Sequence, residues 1–300
     1  MTAIDIPSRN RNPAVRQLIA GLLRLFRGSP FFAASAIVTL GFLAAAIFAP
    51  FVAPYSPTFQ DSAAFMAPPG ASHWFGTDSF GQDLLSRVIH GTRYAFLIGF
   101  GAVLIGALGG LAVGLAAGLI GGALEWVLMR IVDALLALPS LVMAIAFIAI
   151  LGQGVDKVVY AVGIALIGPF ARTVRADVLQ VRAQGFVEAA GLMGINRLRI
   201  VWRHILPNVI FPLSVQATVR ISEAILVSSG LSFLGIGVVP PTPDWGLMIS
   251  EGRAFVSFAP WMSGVPGAAL ALLLIALSIV GDGVRERFDP KLRTNGSGSK

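Results

Sequence analysis

Six stretches of this 300-residue chain can each cross a bilayer as a helix, and nothing else in the sequence limits the fold so tightly. A membrane-spanning helix needs about 20 apolar residues. Candidate spans lie at about 31–53, 95–118, 128–151, 157–172, 209–235 and 264–281. The fourth is the weakest, because its apolar run from Val158 to Ala171 is short and contains Pro169. It suits a helix packed inside the bundle, where length mismatch matters less, and it can continue past the membrane through Val174, Val178, Leu179 and Val181. Composition agrees, with 56% of residues hydrophobic and 12% charged, about half the charge of a soluble domain. The expected fold is an all-α membrane protein of six transmembrane helices over residues 31–281, with a basic segment at 1–30 and a tail at 282–300.

Lysine and arginine set the orientation, since cytoplasmic loops carry the excess. Seventeen of the 22 lie on one side: in residues 1–30, at Arg130, in 172–208 and in 282–300. Arg87, Arg93, Lys157 and Arg253 lie on the other side, and Arg220 falls inside the fifth span. Both termini and the loop 173–208 are therefore expected in the cytoplasm, with long outer loops at 54–94 and 236–263. The net charge of +7 reads as topology-setting arginine rather than a nucleic-acid surface. Within 1–30, Val15, Leu18, Ile19, Leu22, Leu23 and Phe26 recur at helical spacing beside Arg16, Arg24 and Arg27, the pattern of a short interfacial helix.

The cytoplasmic loop contains a polar run of helix formers from Glu188 to Pro207. Glu188, Ala189 and Ala190 favour helix, and alanine lets a partner approach closely. Gly194 permits a sharp break, and Pro207 suits the first turn of the next helix. The expected unit is a short helix–turn–helix in which Arg197, Arg199 and Arg203 offer forked donors to acidic partner groups or lipid phosphates.

No catalytic constellation survives inspection. Cysteine is absent, which removes disulfide, thiol and Cys-metal chemistry. His73, His90 and His204 fall on opposite sides of the membrane. Gly230-Leu-Ser232-Phe-Leu-Gly235 has one residue too many for a nucleophile elbow. The phosphate-cradling G-x-x-x-x-G-K-[ST] loop is missing; the only lysines are Lys157, Lys291 and Lys300. The chain is expected to be no enzyme and to bind no cofactor, so any ATP and Mg would sit on a partner.

Arg220 and Glu223 are three apart on one helix face and can pair. Two readings stand: Glu223 lines a solute path, or the pair is structural. Gly99, Gly101, Gly106, Gly109, Gly110, Gly114 and Gly118 crowd the second span, where small residues let helices approach closely. That fits packing within one subunit and a partner interface equally.

Several motifs carry a resemblance. Glu188-Ala-Ala with Gly191 and Gly194, followed by His204-Ile-Leu-Pro207, resembles the EAA motif of bacterial ABC-importer permeases. Gly76-Thr-Asp78, Gly81-x-Asp83 and Ser86-Arg87, then Met129-Arg-Ile-Val-Asp133 with Leu138-Pro139, fit the same family. Arg203-His-Ile-Leu-Pro-Asn208, Leu231-Ser-Phe-Leu-Gly235 and Pro240-Pro-Thr-Pro-Asp244-Trp245-Gly246 complete a series resembling the C-type permease of the dipeptide/oligopeptide/nickel family. Four positions depart from the pattern: His204 where Ile is general in the EAA motif, Gln82 where Arg is frequent, Ser228 where an acidic residue is frequent, and Glu223 where a small residue is common.

The resemblance implies an inner-membrane transport subunit working by alternating access. It would pair with a second homologous permease, two ATP-binding cassette subunits and an extracytoplasmic solute-binding protein, within a lipid bilayer. The coupling helix between helices 4 and 5 would use Glu188, Ala189, Ala190, Gly191, Gly194, Arg197, Arg199, His204 and Pro207. The path would involve Arg220, Glu223 and Ser228. Asp78, Asp83, Arg87, Asp244 and Trp245 are the expected outer-loop contacts of the binding protein. Peptide is the family's default solute, with nickel and other small solutes as alternatives. From other classes, an ion-gradient carrier and an intramembrane hydrolase remain as rivals.

Overall fold

A computed structural model describes residues 30–288. The interfacial helix expected within 1–30 and the end of the tail lie outside the described residues. The elements are α1 (Pro30–Val52), α2 (Leu84–Ile120), α3 (Gly122–Leu136), α4 (Ser140–Leu151), α5 (Val155–Arg182), α6 (Gly185–Leu192), α7 (Arg197–Ile200), α8 (Leu206–Phe233), α9 (Trp245–Gly252) and α10 (Trp261–Phe288). Among the described residues five helices are long and apolar enough to cross a membrane, or six if the bent pair of α3 and α4 is one broken span.

That broken span corrects the expectation of one straight helix over 128–151. α3 and α4 meet at 98°. The cause is Leu138-Pro139: proline drives the preceding residue out of the helical region and supplies no N–H of its own. Pro139 sits at φ −55°, ψ 144°, ahead of α4. At 1.5 Å per residue, α4 alone is about 18 Å long, well short of the roughly 30 Å hydrocarbon core.

α5 is the centre of the bundle, although its apolar run is the shortest. Val158, Ala161, Val162, Phe170, Ala171, Val174 and Val178 are fully buried along it. It runs unbroken through Pro169 to Arg182, so it outlasts the membrane as the sequence allowed. α2 lies parallel to it at very close range. A β-carbon on Gly114 would sit 2.6 Å from Val174 Cβ, and one on Gly118 2.7 Å from Val178 Cγ1. Gly106 and Gly110 meet Leu166 and Phe170 in the same way. The glycine stripe is thus used inside this subunit. Arg182 then donates to the carbonyls of Gly118 and Leu119, where a cation satisfies the last carbonyls of α2.

Candidate functional site

At one end of the bundle α6 and α7 form a hairpin. Glu188 in the first turn of α6 suits the positive end of the helix. Gly194 stands at φ +74°, a conformation a side chain would strain. The chain then closes by a bond from Ile195 N–H to Ala190 C=O, 3.2 Å. Asn196 caps α7 by accepting from Leu198 N–H at 2.9 Å. Ala190 is buried, whereas Glu188, Ala189, Gly191, Gly194, Arg197 and Arg199 are exposed.

α6 and α7 form the expected helix–turn–helix about Gly194; what differs is that no break in the backbone precedes Pro207 in the first turn of α8. The backbone is helical from Arg197 to Phe233, passing through a π segment at Val201–Ile205. Leu206 N–H reaches back to Val201 C=O, so the extra residue is absorbed one turn ahead of the proline that lacks a donor. Asn208 donates its side-chain N–H to His204 C=O at 2.6 Å. The His204 ring packs on Phe186, centroids 5.8 Å apart, and so ties α6 to the long helix. Leu192 is 85% exposed, with Met193, Leu198 and Trp202 also exposed nearby.

The opposite end holds the loop 54–83. Asp83 caps α2, accepting from Ser86 N–H at 2.8 Å and from its hydroxyl at 2.7 Å, with His73 Nδ1 3.0 Å away. Asp78 accepts from the N–H groups of Phe80 and Gln82, both 2.8 Å, and pairs with Arg87. Arg87 also bonds Gln82 and reaches Glu251 at 3.5 Å. Asp244 caps α9 through Leu247 N–H at 3.0 Å. Trp245 donates to Val88 C=O at 3.1 Å, over Gly91. Burial raises the Asp244 carboxyl above its usual range, against the backbone N–H groups of Leu247 and Gly246 and the Ser232 hydroxyl. Glu251 is raised by the same desolvation, opposed by Arg87.

All five of these expected contact residues are therefore interior: Asp83, Arg87 and Trp245 are each 2% exposed, and Asp78 and Asp244 hardly more. They build the interior of this end of the bundle and offer almost no surface to a partner. Their carboxylates are taken up by caps and ion pairs, the condition on which buried charge is tolerated, while Arg87 Nε is buried without a partner.

Between the two ends, α5, α8 and the end of α10 line an open cavity of about 1040 Å³. Arg220 donates to Glu223 at 2.7 Å on its wall. Asp177, Gln180, Gln184, Gln216 and Arg285 line it further toward the hairpin. Ser228 is not part of it: it is buried, and its hydroxyl donates to Ile225 C=O at 2.9 Å. Sequence reasoning missed the glutamines and Arg285. The signal was present as Asp177, Gln180 and as Gln216, Arg220, Glu223, each set on one helical face, whereas Gln184 lies just beyond α5 in extended conformation. It also missed the ion pairs Arg172–Asp133 and Arg175–Glu125, which strap α3 to α5.

Comparison with known proteins places this architecture. Residues 110–294 match the family described as binding-protein-dependent transport system inner membrane component. The chain belongs to this family. Residues 18–69 further match the N-terminal TM domain of oligopeptide transport permease C. This permease is 38% identical to the dipeptide transport system permease protein DppC of Alkalihalophilus pseudofirmus, over 86% of this chain and 85% of that one. It is 42% identical to the di/tripeptide transport system permease protein DppC of Pseudomonas aeruginosa, over 83% and 84%. It is 40% identical to the glutathione transport system permease protein GsiD of Escherichia coli, over 90% and 89%. A chain of the inward-facing MetNI methionine ABC transporter superposes with a TM-score of 0.57 at 19% identity, covering 69% of this chain and 98% of that one. That likeness concerns the fold alone. The permease is thus a transmembrane subunit of an ABC importer in the inner membrane.

Proposed function

We propose that this permease carries peptide-like solutes by alternating access, driven by ATP-binding subunits that seat the α6–α7 hairpin. The carrying observation is the hairpin itself. Leu192, Met193, Leu198 and Trp202 stand out toward solvent beside Arg197 and Arg199, an apolar centre with a cationic rim. Recognition surfaces have that composition. The chain has no phosphate loop of its own, so nucleotide and Mg would be held by the partner. In this reading the hairpin end is cytoplasmic, as the arginine distribution requires. A second permease, two ATP-binding subunits and an extracytoplasmic binding protein complete the assembly.

Peptide is favoured over nickel by the cavity wall, which offers carboxylate, guanidinium and amide groups but no histidine. The DppC and GsiD relatives bear names for dipeptide, di/tripeptide and glutathione transport, all solutes with amine and carboxylate ends. The test uses Glu188→Arg and Gly194→Trp in the assembled complex. Both should abolish peptide-stimulated ATP hydrolysis and uptake together. Normal hydrolysis and uptake in both variants would refute the coupling role.

A further inference from the structure

The cavity has features that a simple conduit does not need. Its charges are balanced, Arg220 and Arg285 against Asp177 and Glu223. Its volume of about 1040 Å³ is at the upper end of small-ligand sites, about 300–1,000 Å³. Arg220 lies fourteen residues above Leu206, or about 21 Å along the helix, so the ion pair stands well inside a hydrocarbon core of roughly 30 Å. Charge at that depth is retained where it faces a water-filled path or a ligand.

The bonding is also incomplete. Arg220 spends one N–H on Glu223, and its guanidinium lies over the Phe170 ring at 5.5 Å. Its Nε is buried without a hydrogen-bond partner. Gln216 donates to Thr173 at 3.1 Å, while its Oε1 is buried and unpartnered. Guanidinium has five donors in a fork that matches a carboxylate. Glu223 uses Oε2 for Arg220 and keeps its other oxygen for an ammonium. The cavity therefore presents a carboxylate receptor at Arg220 and an ammonium receptor at Glu223, on one face of α8.

We infer that this cavity is a solute-holding site within the membrane, which takes a zwitterionic peptide with its carboxylate at Arg220 and its ammonium at Glu223. The inference rests on the peptide reading above and deepens it. It makes this subunit a second checkpoint that reads both ends of the solute after the binding protein has released it.

The chain has no cysteine, so Val219→Cys on the cavity wall supplies the one thiol it contains. The full complex in nanodiscs, without nucleotide, is treated with N-ethylmaleimide, and labelling is read from the mass of this chain. Alanyl-alanine should slow labelling about tenfold, and N-acetyl-alanyl-alanine amide should not. Arg220→Gln and Glu223→Gln should each remove the protection in complexes that still co-purify intact. Equal protection by the blocked peptide, or none from alanyl-alanine, overturns the site without needing either variant. Alanyl-alanine-stimulated ATP hydrolysis, measured with the binding protein on the same preparation, keeps the two proposals apart. If hydrolysis is stimulated and labelling is unchanged, the site alone falls; if no peptide stimulates hydrolysis, the peptide reading falls and the site with it.

Discussion

Asp244 shows how a residue that looks like a surface contact serves the interior. It is buried, it caps α9, and burial holds its carboxyl above the usual carboxylate value near 3.9. The folded chain therefore binds this proton more tightly than the unfolded chain does. As pH rises from the unfolded value through the raised folded one, this group's contribution to stability declines. Asn caps as well as Asp and carries no charge. Asp244→Asn should then match or exceed the parent's melting temperature near pH 8, the difference closing toward about pH 4. Asp244→Ala should lose about 1 kcal/mol at either pH for want of a cap. Thermal denaturation of the purified complex across that range decides the matter. A loss in the Asn variant near pH 8 as large as in the Ala variant would mean that the charge itself stabilises the fold.

The helices were legible in the sequence to different degrees. Apolar length found α1, α2, α5, α8 and α10, because a bilayer imposes one simple requirement on each. It failed at α3 and α4, where a continuous apolar run hides a 98° bend; only the local stereochemistry of Leu138-Pro139 records it. The glycines of α2 were visible, but their partner was not, since spacing says which face is smooth and not what lies on it. Contact with α5 supplies the answer and a test. Gly114→Leu would drive a side chain into Val174 and the Ala171 carbonyl, and overpacking of this kind costs about 1–3 kcal/mol or more. Gly41→Leu on α1 meets nothing within 4 Å and serves as the control. We expect the first to lower the yield and melting temperature of the complex by several degrees and the second to leave both unchanged. Equal behaviour would place the stripe outside the subunit core.

At the scale of the molecule, the hairpin and the opposite end of the bundle are joined by one rod. The backbone is helical from Arg197 to Phe233, about 55 Å at 1.5 Å per residue. His204 stacks on Phe186 at the lower end, and at the upper end Ser250 donates to Phe233 C=O at 2.7 Å. The cavity and its ion pair sit on the middle of this rod. The ion pair could be read from the spacing of Arg220 and Glu223, but the continuous rod and the cavity could not, since Pro207 marks a helix start and the cavity depends on three elements far apart in the chain. If a partner pushes the hairpin, displacement reaches the cavity only as far as the rod is stiff. The π segment is its least regular stretch. Leu206→Gly adds flexibility there, at about 1 kcal/mol of helix propensity, and leaves Ile200, Arg203, Ile205 and the exposed docking side chains in place. The complex should assemble and hydrolyse ATP within about twofold of the parent, since docking is intact, while uptake per ATP falls about tenfold. Uptake per ATP that stays at the parent value would show that motion reaches the cavity by another route, through α5 or through the second permease.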